Sequence, residues 1–188
     1  MILTISLSGI SFAGADVGGF FNNPSAELLL RWYQAGTYQP FFRSHAHIDT
    51  KRREPWVFGE DWAQKYRNII RQRYRMLPMW YTWFWESHVS GVPAMRPMFM
   101  EWSALKNVFS EETQFMLGRE LLVAPVTTEN QVSRQVYLPE QEVRYLKSPP
   151  VLPHVFGFLI ASWLQGLVRL GHLREGRKDG TYHCRRSA

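Results

Sequence analysis

Residues 14–56, GADVGGFFNNPSAELLLRWYQAGTYQPFFRSHAHIDTKRREPW, constrain the fold more than any other stretch of the chain. The apolar run before them, residues 5–13, has the length of a strand, and Asp16, Val17, Gly18 and Gly19 follow it as a turn in which glycine relaxes the backbone cheaply. Asn22, Asn23 and Ser25 are candidate helix caps, and Pro24 suits an early helical position. Leu28, Leu29, Trp32 and Tyr33 then recur at helical spacing, and Gly36 ends the helix. Residues 38–42 are short and aromatic, like a buried strand, and a cluster of Arg43, His45, His47 and Asp49 opens where that strand would stop. Strand, loop, helix, strand, loop is the repeating unit of parallel α/β folds, and in a barrel of eight such units the chemistry lies on the loops after the strands. Asp16 and the charged cluster both occupy such loops. The same residues also admit a structural reading, with Asp16 capping its turn and His45 a satisfied histidine under a loop.

Further along, Tyr66, Ile69, Ile70, Tyr74, Leu77, Tyr81, Phe84 and Trp85 repeat at steps of three and four, the pattern of an amphipathic helix with a wide apolar face. Arg67, Arg71, Arg73 and Arg75 fall between them and read as a solvated face whose stems cover the aromatics, rather than as a nucleic-acid patch. Pro78 is expected to kink the helix or mark a boundary in it. After the break at Gly91, Val92 and Pro93, residues 115–118, 121–126 and 135–139 have strand character.

Four motifs, GADVGGFF, LLLRWYQAGTYQPFFRSHAHIDTKRREPW, GVPAMRPMF and QFMLGRELLVAPV, resemble, in order, the last part of the catalytic barrel and the following β domain of glycoside hydrolase family 31, within it most nearly the glucosidase II and neutral alpha-glucosidase group. The resemblance covers roughly residues 1–139. It implies an α/β fold, the C-terminal part of a TIM (β/α)8 barrel over residues 1–90 followed by the start of a β-sandwich domain over residues 91–146. In the family, residues matching 1–7 end the helix before the seventh barrel strand and residues matching 10–15 form that strand. The apolar start therefore reads as internal sequence rather than a secretion signal, and it lacks a positively charged first region. An eight-stranded barrel alone takes about 250 residues, so 188 residues suit a fragment.

Residues 147–188 form an unmatched tail, apolar and then basic. No charged residue occurs from 148 to 168, yet Pro149, Pro150, Pro153, His154 and Gln165 argue against a membrane span. Residues 1–139 carry 14 Lys and Arg against 12 Asp and Glu, whereas residues 140–188 carry 8 against 4, so most of the net charge of +6 is tail. The tail lacks a recognition motif for nucleic acid or lipid and reads as sequence foreign to the family, such as retained intron or shifted frame. One cysteine, Cys184, excludes an intrachain disulfide, and no ligand spacing points to a metal or other cofactor.

Family members are retaining exo-acting alpha-glucosidases, in which one carboxylate attacks the anomeric carbon and a second acts as acid and then base. Both family motifs for that pair lie upstream of the region matched here, so the resemblance assigns this chain no catalytic residue. It implies substrate binding by Asp16, which orders the pocket around the terminal glucose, by Phe20 at the pocket mouth, and by His45, whose neutral ring offers sugar hydroxyls one donor and one acceptor. Arg43 and Asp49 are expected to support the His45 loop as a charge pair. The charge of Lys51, Arg52 and Arg53 is expected to hold Asp49 ionised and so disfavours an acid role for it. The implied substrate is an alpha-glucoside or a glucosylated N-glycan, the compartment the endoplasmic reticulum lumen, and the partner a noncatalytic beta subunit. An inactive sugar-binding or subunit-binding remnant, or an adaptor built on the basic tail, are the alternative readings.

Overall fold

The structure, a computed structural model, describes residues 1–131, 133–139, 145–146, 160–161 and 181–185. It divides into two compact units, residues 1–95 and a second beginning at Arg96.

The first unit begins with helix α1 (Ile2–Leu7), which overturns a strand starting at Ile5. A short apolar run without alternation does not distinguish the two states. The Ser6 hydroxyl donates to Leu3 O at 2.7 Å, and Gly9, at φ 89, follows the helix end. The Leu7 boundary implied by the family resemblance coincides with the end of α1.

Residues 13–17 then run parallel to residues 41–44. Phe41 N–H donates to Ala13 O at 3.1 Å, Val17 N–H donates to Arg43 O at 2.9 Å, and Val17 and Ser44 form a parallel bridge. The expected strand over 38–42 is absent. Its carbonyls are drawn elsewhere: Arg73 collects those of Thr37, Gln39 and Pro40, while the Gln39 side chain, not its backbone, accepts from Ala15 N–H at 2.8 Å. The two segments approach so closely at Gly14 that an added Cβ would lie 1.9 Å from Phe41 O. Gly14→Ala must push the segments apart, and we expect a loss of at least about 2 kcal/mol in a urea unfolding series. A loss below about 0.5 kcal/mol, the range of ordinary surface substitutions, would show that the approach is not required.

Helix α2 (Ala26–Gly36) is capped by Ser25, whose Oγ accepts from Leu28 N–H at 3.2 Å. Pro24 precedes the cap, Asn22 adopts φ 60, and Asn23 Oδ1 accepts from Lys51 N–H at 2.8 Å, so neither asparagine caps the helix. The buried face is Leu29, Leu30, Arg31, Tyr33 and Gln34, with Leu28 exposed. Helix α3 (Glu60–Arg75) packs on α2, where the Tyr66 hydroxyl donates to Ala26 O at 2.8 Å and the Tyr33 and Tyr66 rings lie 5.3 Å apart.

Helix α4 (Leu77–Ser90) follows after Met76, with Pro78 in its first turn, where a missing N–H costs nothing. The boundary expected at Pro78 is therefore observed. It also resets the helical phase, so the apolar spacing that continues across it does not line one face: Tyr66, Ile69, Trp80 and Trp83 are buried, whereas Tyr74, Leu77, Tyr81 and Trp85 are exposed. Arg73, expected in solvent, is buried instead.

A two-residue strand β1 (Met95–Arg96) marks the passage between units. In the second unit, Arg96 is buried with its Nη1 2.7 Å from Glu101 Oε1. Two 3-10 turns, Met98–Met100 and Lys106–Val108, lead to a hairpin of β2 (Phe115–Leu117) and β3 (Leu121–Val123), antiparallel with Met116 opposite Leu122. Strand β4 (Ser133–Tyr137) joins through Gln114, whose amide donates to Tyr137 O at 2.7 Å and accepts from Tyr137 N–H at 3.0 Å. Met98, Val108, Met116, Leu122, Ala124, Val136 and Leu138 form the core. The three expected strand regions are thus all present, the first two shortened and the third beginning two residues earlier. Beyond them, β5 (Tyr145–Leu146) pairs antiparallel with β6 (Ile160–Ala161), and β7 (Thr181–Arg185) pairs antiparallel with β4. The rest of the 147–188 tail, including most of the uncharged 148–168 run, lies outside the described residues. Among the described residues no helix is long and apolar enough to cross a membrane.

Candidate functional site

The parallel pairing of residues 13–17 with 41–44 brings two polar loops to one end of the first unit. In the first loop, Gly18 and Gly19 take φ 101 and 69, left-handed values that a side chain disfavours, and Gly19 N–H closes the turn on Asp16 O at 3.0 Å. In the second, Arg43 follows directly from the residues bonded to Ala13. Because Val17 N–H bonds Arg43 O, the Asp16 and Arg43 side chains meet: Arg43 donates to Asp16 Oδ1 from Nη2 at 2.7 Å and from Nε at 3.2 Å. The Arg43 guanidinium also lies 5.2 Å from the Phe41 ring centroid.

Phe20 joins this cluster through its backbone and its ring. Its carbonyl accepts from His47 N–H at 2.9 Å, and its ring centroid is 5.5 Å from that of His45 and 5.8 Å from that of His47. Phe21 lies 4.8 Å from Phe20 and 5.4 Å from His47. The result is an aromatic wall of two phenylalanines and two imidazoles beside a carboxylate–guanidinium pair, with His45 exposed. Such a wall offers apolar faces, while the ring nitrogens and the carboxylate offer hydrogen bonds.

Asp16 thus pairs with Arg43 and Phe20 lies against His45 and His47, while Asp49 reaches this group only through His47. The expected Arg43–Asp49 pair is overturned, since Arg43 bonds Asp16. Asp49 lies within the turn in which Thr50 N–H and Thr50 Oγ1 both donate to His47 O, and its side chain is 84% exposed with Oδ2 3.3 Å from His47 Nδ1. Two residues of the basic run after Asp49 find other partners. Arg52 bonds Glu54, from Nη2 at 2.6 Å, and that bond holds the Glu54 carboxyl below its usual range. Arg53 is turned inward onto main-chain carbonyls.

Two arginines that shape the site were missed by sequence reasoning. Arg53 donates to the carbonyls of Gly18, Gly19 and Asn22, and Arg73 to those of Thr37, Gln39 and Pro40. Arg73 also lies 4.2 Å from the Trp80 ring centroid, and burial pushes its guanidinium down to about 10, so it stays charged at neutral pH. A charged residue inside an otherwise apolar helical stripe, as Arg73 is, is the one signal that could have found it. Arg53 carries no comparable signal, being one of three consecutive basic residues.

Among the described residues, no group of three or more His, Cys, Asp or Glu could hold a metal ion. In the second unit a cavity of about 580 Å³ is lined by Thr113, Gln114, Arg134 and Tyr137, among others, whose polar groups largely bond one another.

Residues 1–83 match the TIM-barrel domain of glycosyl hydrolases family 31, and residues 91–148 match that family's C-terminal domain. The second match runs past Pro139, where the sequence resemblance fades. Neutral alpha-glucosidase C of Mus musculus is 56% identical over 146 residues, which are 77% of this chain and 16% of that protein. Among solved structures, the DNJ-bound glucosidase II alpha subunit is similar with a TM-score of 0.73 and 44% identity over 77% of this chain and 16% of its own. The same values hold for an ER glucosidase II heterodimeric complex of a catalytic subunit and the binding domain of a regulatory subunit. The chain therefore spans about one sixth of the length of these relatives. Two successive domains of one family, matched in order across most of the sequence, place the chain in glycosyl hydrolase family 31.

Proposed function

We propose that this chain is the pocket-forming part of an alpha-glucosidase, a retaining glycoside hydrolase, in which Asp16, Phe20 and His45 bind the terminal glucose and Arg43 holds Asp16 in place. The observation that carries the reading is that adjacent parallel segments join Asp16 to Arg43, while the loops that follow them set Phe20 against His45. In this reading residues 1–90 are the C-terminal part of the (β/α)8 barrel, residues 91–146 begin the β-sandwich domain, and residues 147–188 are foreign to the family. Asp49 supports the His45 loop through His47 rather than through Arg43. The reacting carboxylates come from barrel loops outside these 188 residues.

The likeness to glucosidase II extends the proposal to the whole enzyme. Its substrate is an alpha-glucoside or glucosylated N-glycan, its compartment the endoplasmic reticulum lumen, and its partner a noncatalytic beta subunit. The support is similarity to a catalytic subunit whose structure includes the binding domain of a regulatory subunit.

Two measurements test the proposal. An antibody raised against residues 37–56 should reveal, in the source cells, a polypeptide several times heavier than 22.1 kDa. A band at 22.1 kDa would instead favour a sugar-binding remnant. In equilibrium dialysis, glucose or DNJ should bind saturably, and His45→Ala should weaken binding at least about tenfold, the cost of a hydrogen bond or two at a polar site. Unchanged affinity in His45→Ala would remove His45 from the pocket.

A further inference from the structure

We propose that Arg53 is a positioning residue for this pocket: a clasp that holds the 18–22 loop so that Asp16 and Phe20 stay opposite Arg43 and His45. The inference rests on the reading of those four residues as a glucose pocket. Three of the five loop residues have left-handed backbones, Gly18 at φ 101, Gly19 at φ 69 and Asn22 at φ 60. Glycine takes many backbone conformations and asparagine tolerates this one, so the loop's own sequence does not select its shape and the surroundings must.

Arg53 supplies that determination. Its Nη1 donates to Gly18 O at 3.0 Å and to Gly19 O at 2.6 Å, and its Nη2 donates to Asn22 O at 2.5 Å. The residue is only 6% exposed, and among the described residues it forms no ion pair with a carboxylate. Its planar fork therefore serves the loop backbone rather than another charge. Loop and arginine are also fitted closely, since a Cβ on Gly18 would lie 3.2 Å from Arg53 Cδ.

The segment that carries Arg53 makes two further ties to the same loop, His47 N–H to Phe20 O at 2.9 Å and Lys51 N–H to Asn23 Oδ1 at 2.8 Å. One continuous stretch thus presents His45 to the pocket and then turns back to fasten the loop that carries Phe20 and follows Asp16. A lysine at 53 would bring a point charge that cannot span three carbonyls in a fixed plane.

The experiment compares the full chain with Arg53→Lys and Arg53→Ala, by amide hydrogen exchange and by binding of glucose and DNJ. In Arg53→Lys, exchange at Val17, Gly19 and His47 should quicken at least tenfold while α3 and α4 keep their protection, and ligand affinity should fall at least tenfold. Adding ethylguanidinium to Arg53→Ala should restore both. Three results would overturn the proposal: unchanged exchange in the loop, a uniform rise in exchange across residues 1–95 that marks a general structural role, or a loosened loop with undiminished ligand affinity. A wild-type chain that binds neither glucose nor DNJ would defeat the pocket reading and, with it, the positioning role, whereas a wild type that binds isolates any failure to the clasp.

Discussion

Incubated with an aryl alpha-glucoside, the pure 188-residue chain should release no more phenol than buffer does. Retaining hydrolysis needs two carboxyl groups about 5 to 5.5 Å apart, one of them able to hold a proton at working pH. The carboxylates nearest the pocket are otherwise engaged. Asp16 accepts two bonds from Arg43, Asp49 stands in solvent against His47, and Glu54 is bonded by Arg52, which lowers its carboxyl and so opposes an acid role. Enzymes accelerate such reactions at least about a millionfold, so the difference between a complete and an incomplete site is not subtle. Turnover even about a thousandfold above buffer would mean that the chain holds a reacting pair of its own.

The largest stability effect is expected from Arg73→Met. The substitution keeps an apolar stem against Trp80 and Phe42 but removes the donors for Thr37 O, Gln39 O and Pro40 O. Bonds from a charged donor contribute about 1.5–3 kcal/mol each, and the cost of burying the guanidinium, visible in its lowered pKa, offsets part of the sum. We expect a net loss of about 3–5 kcal/mol in urea unfolding, with Arg73→Lys recovering only a minor share. A loss under about 1 kcal/mol for Arg73→Met would show that these carbonyls find water or other donors instead.

The two predictions concern different layers of the same site. Arg73 holds the segment that leads to Arg43 and His45, whereas the missing chemistry concerns what that segment faces.

Much of this was legible from residue order. Ser25 before a helical repeat, glycines after Asp16 and a proline at 78 each have a local physical meaning, and each marks a boundary in the structure. The family resemblance assigned Asp16, Phe20 and His45 to one pocket; in the structure Phe20 lies against His45, and Asp16 is held by Arg43, two residues before His45. The errors have a common origin. The strand over 38–42, the partner of Arg43 and the role of the basic run after Asp49 all depended on where arginines would find acceptors. Sequence proximity suggested Asp49, but the register of the parallel segments put Asp16 beside Arg43.

By itself the sequence determined helices α2 to α4 and the hairpin strands, because capping, turn chemistry and apolar spacing act over a few residues, and four ordered motifs carried the family resemblance. Only the tertiary structure decided which arginine holds which loop. Arg53 reaches back 31 to 35 residues and Arg73 reaches back 33 to 36, and both bond main-chain carbonyls. Every residue type carries such a carbonyl, so nothing in the letters of the sequence distinguishes the ones that will be left facing a buried guanidinium.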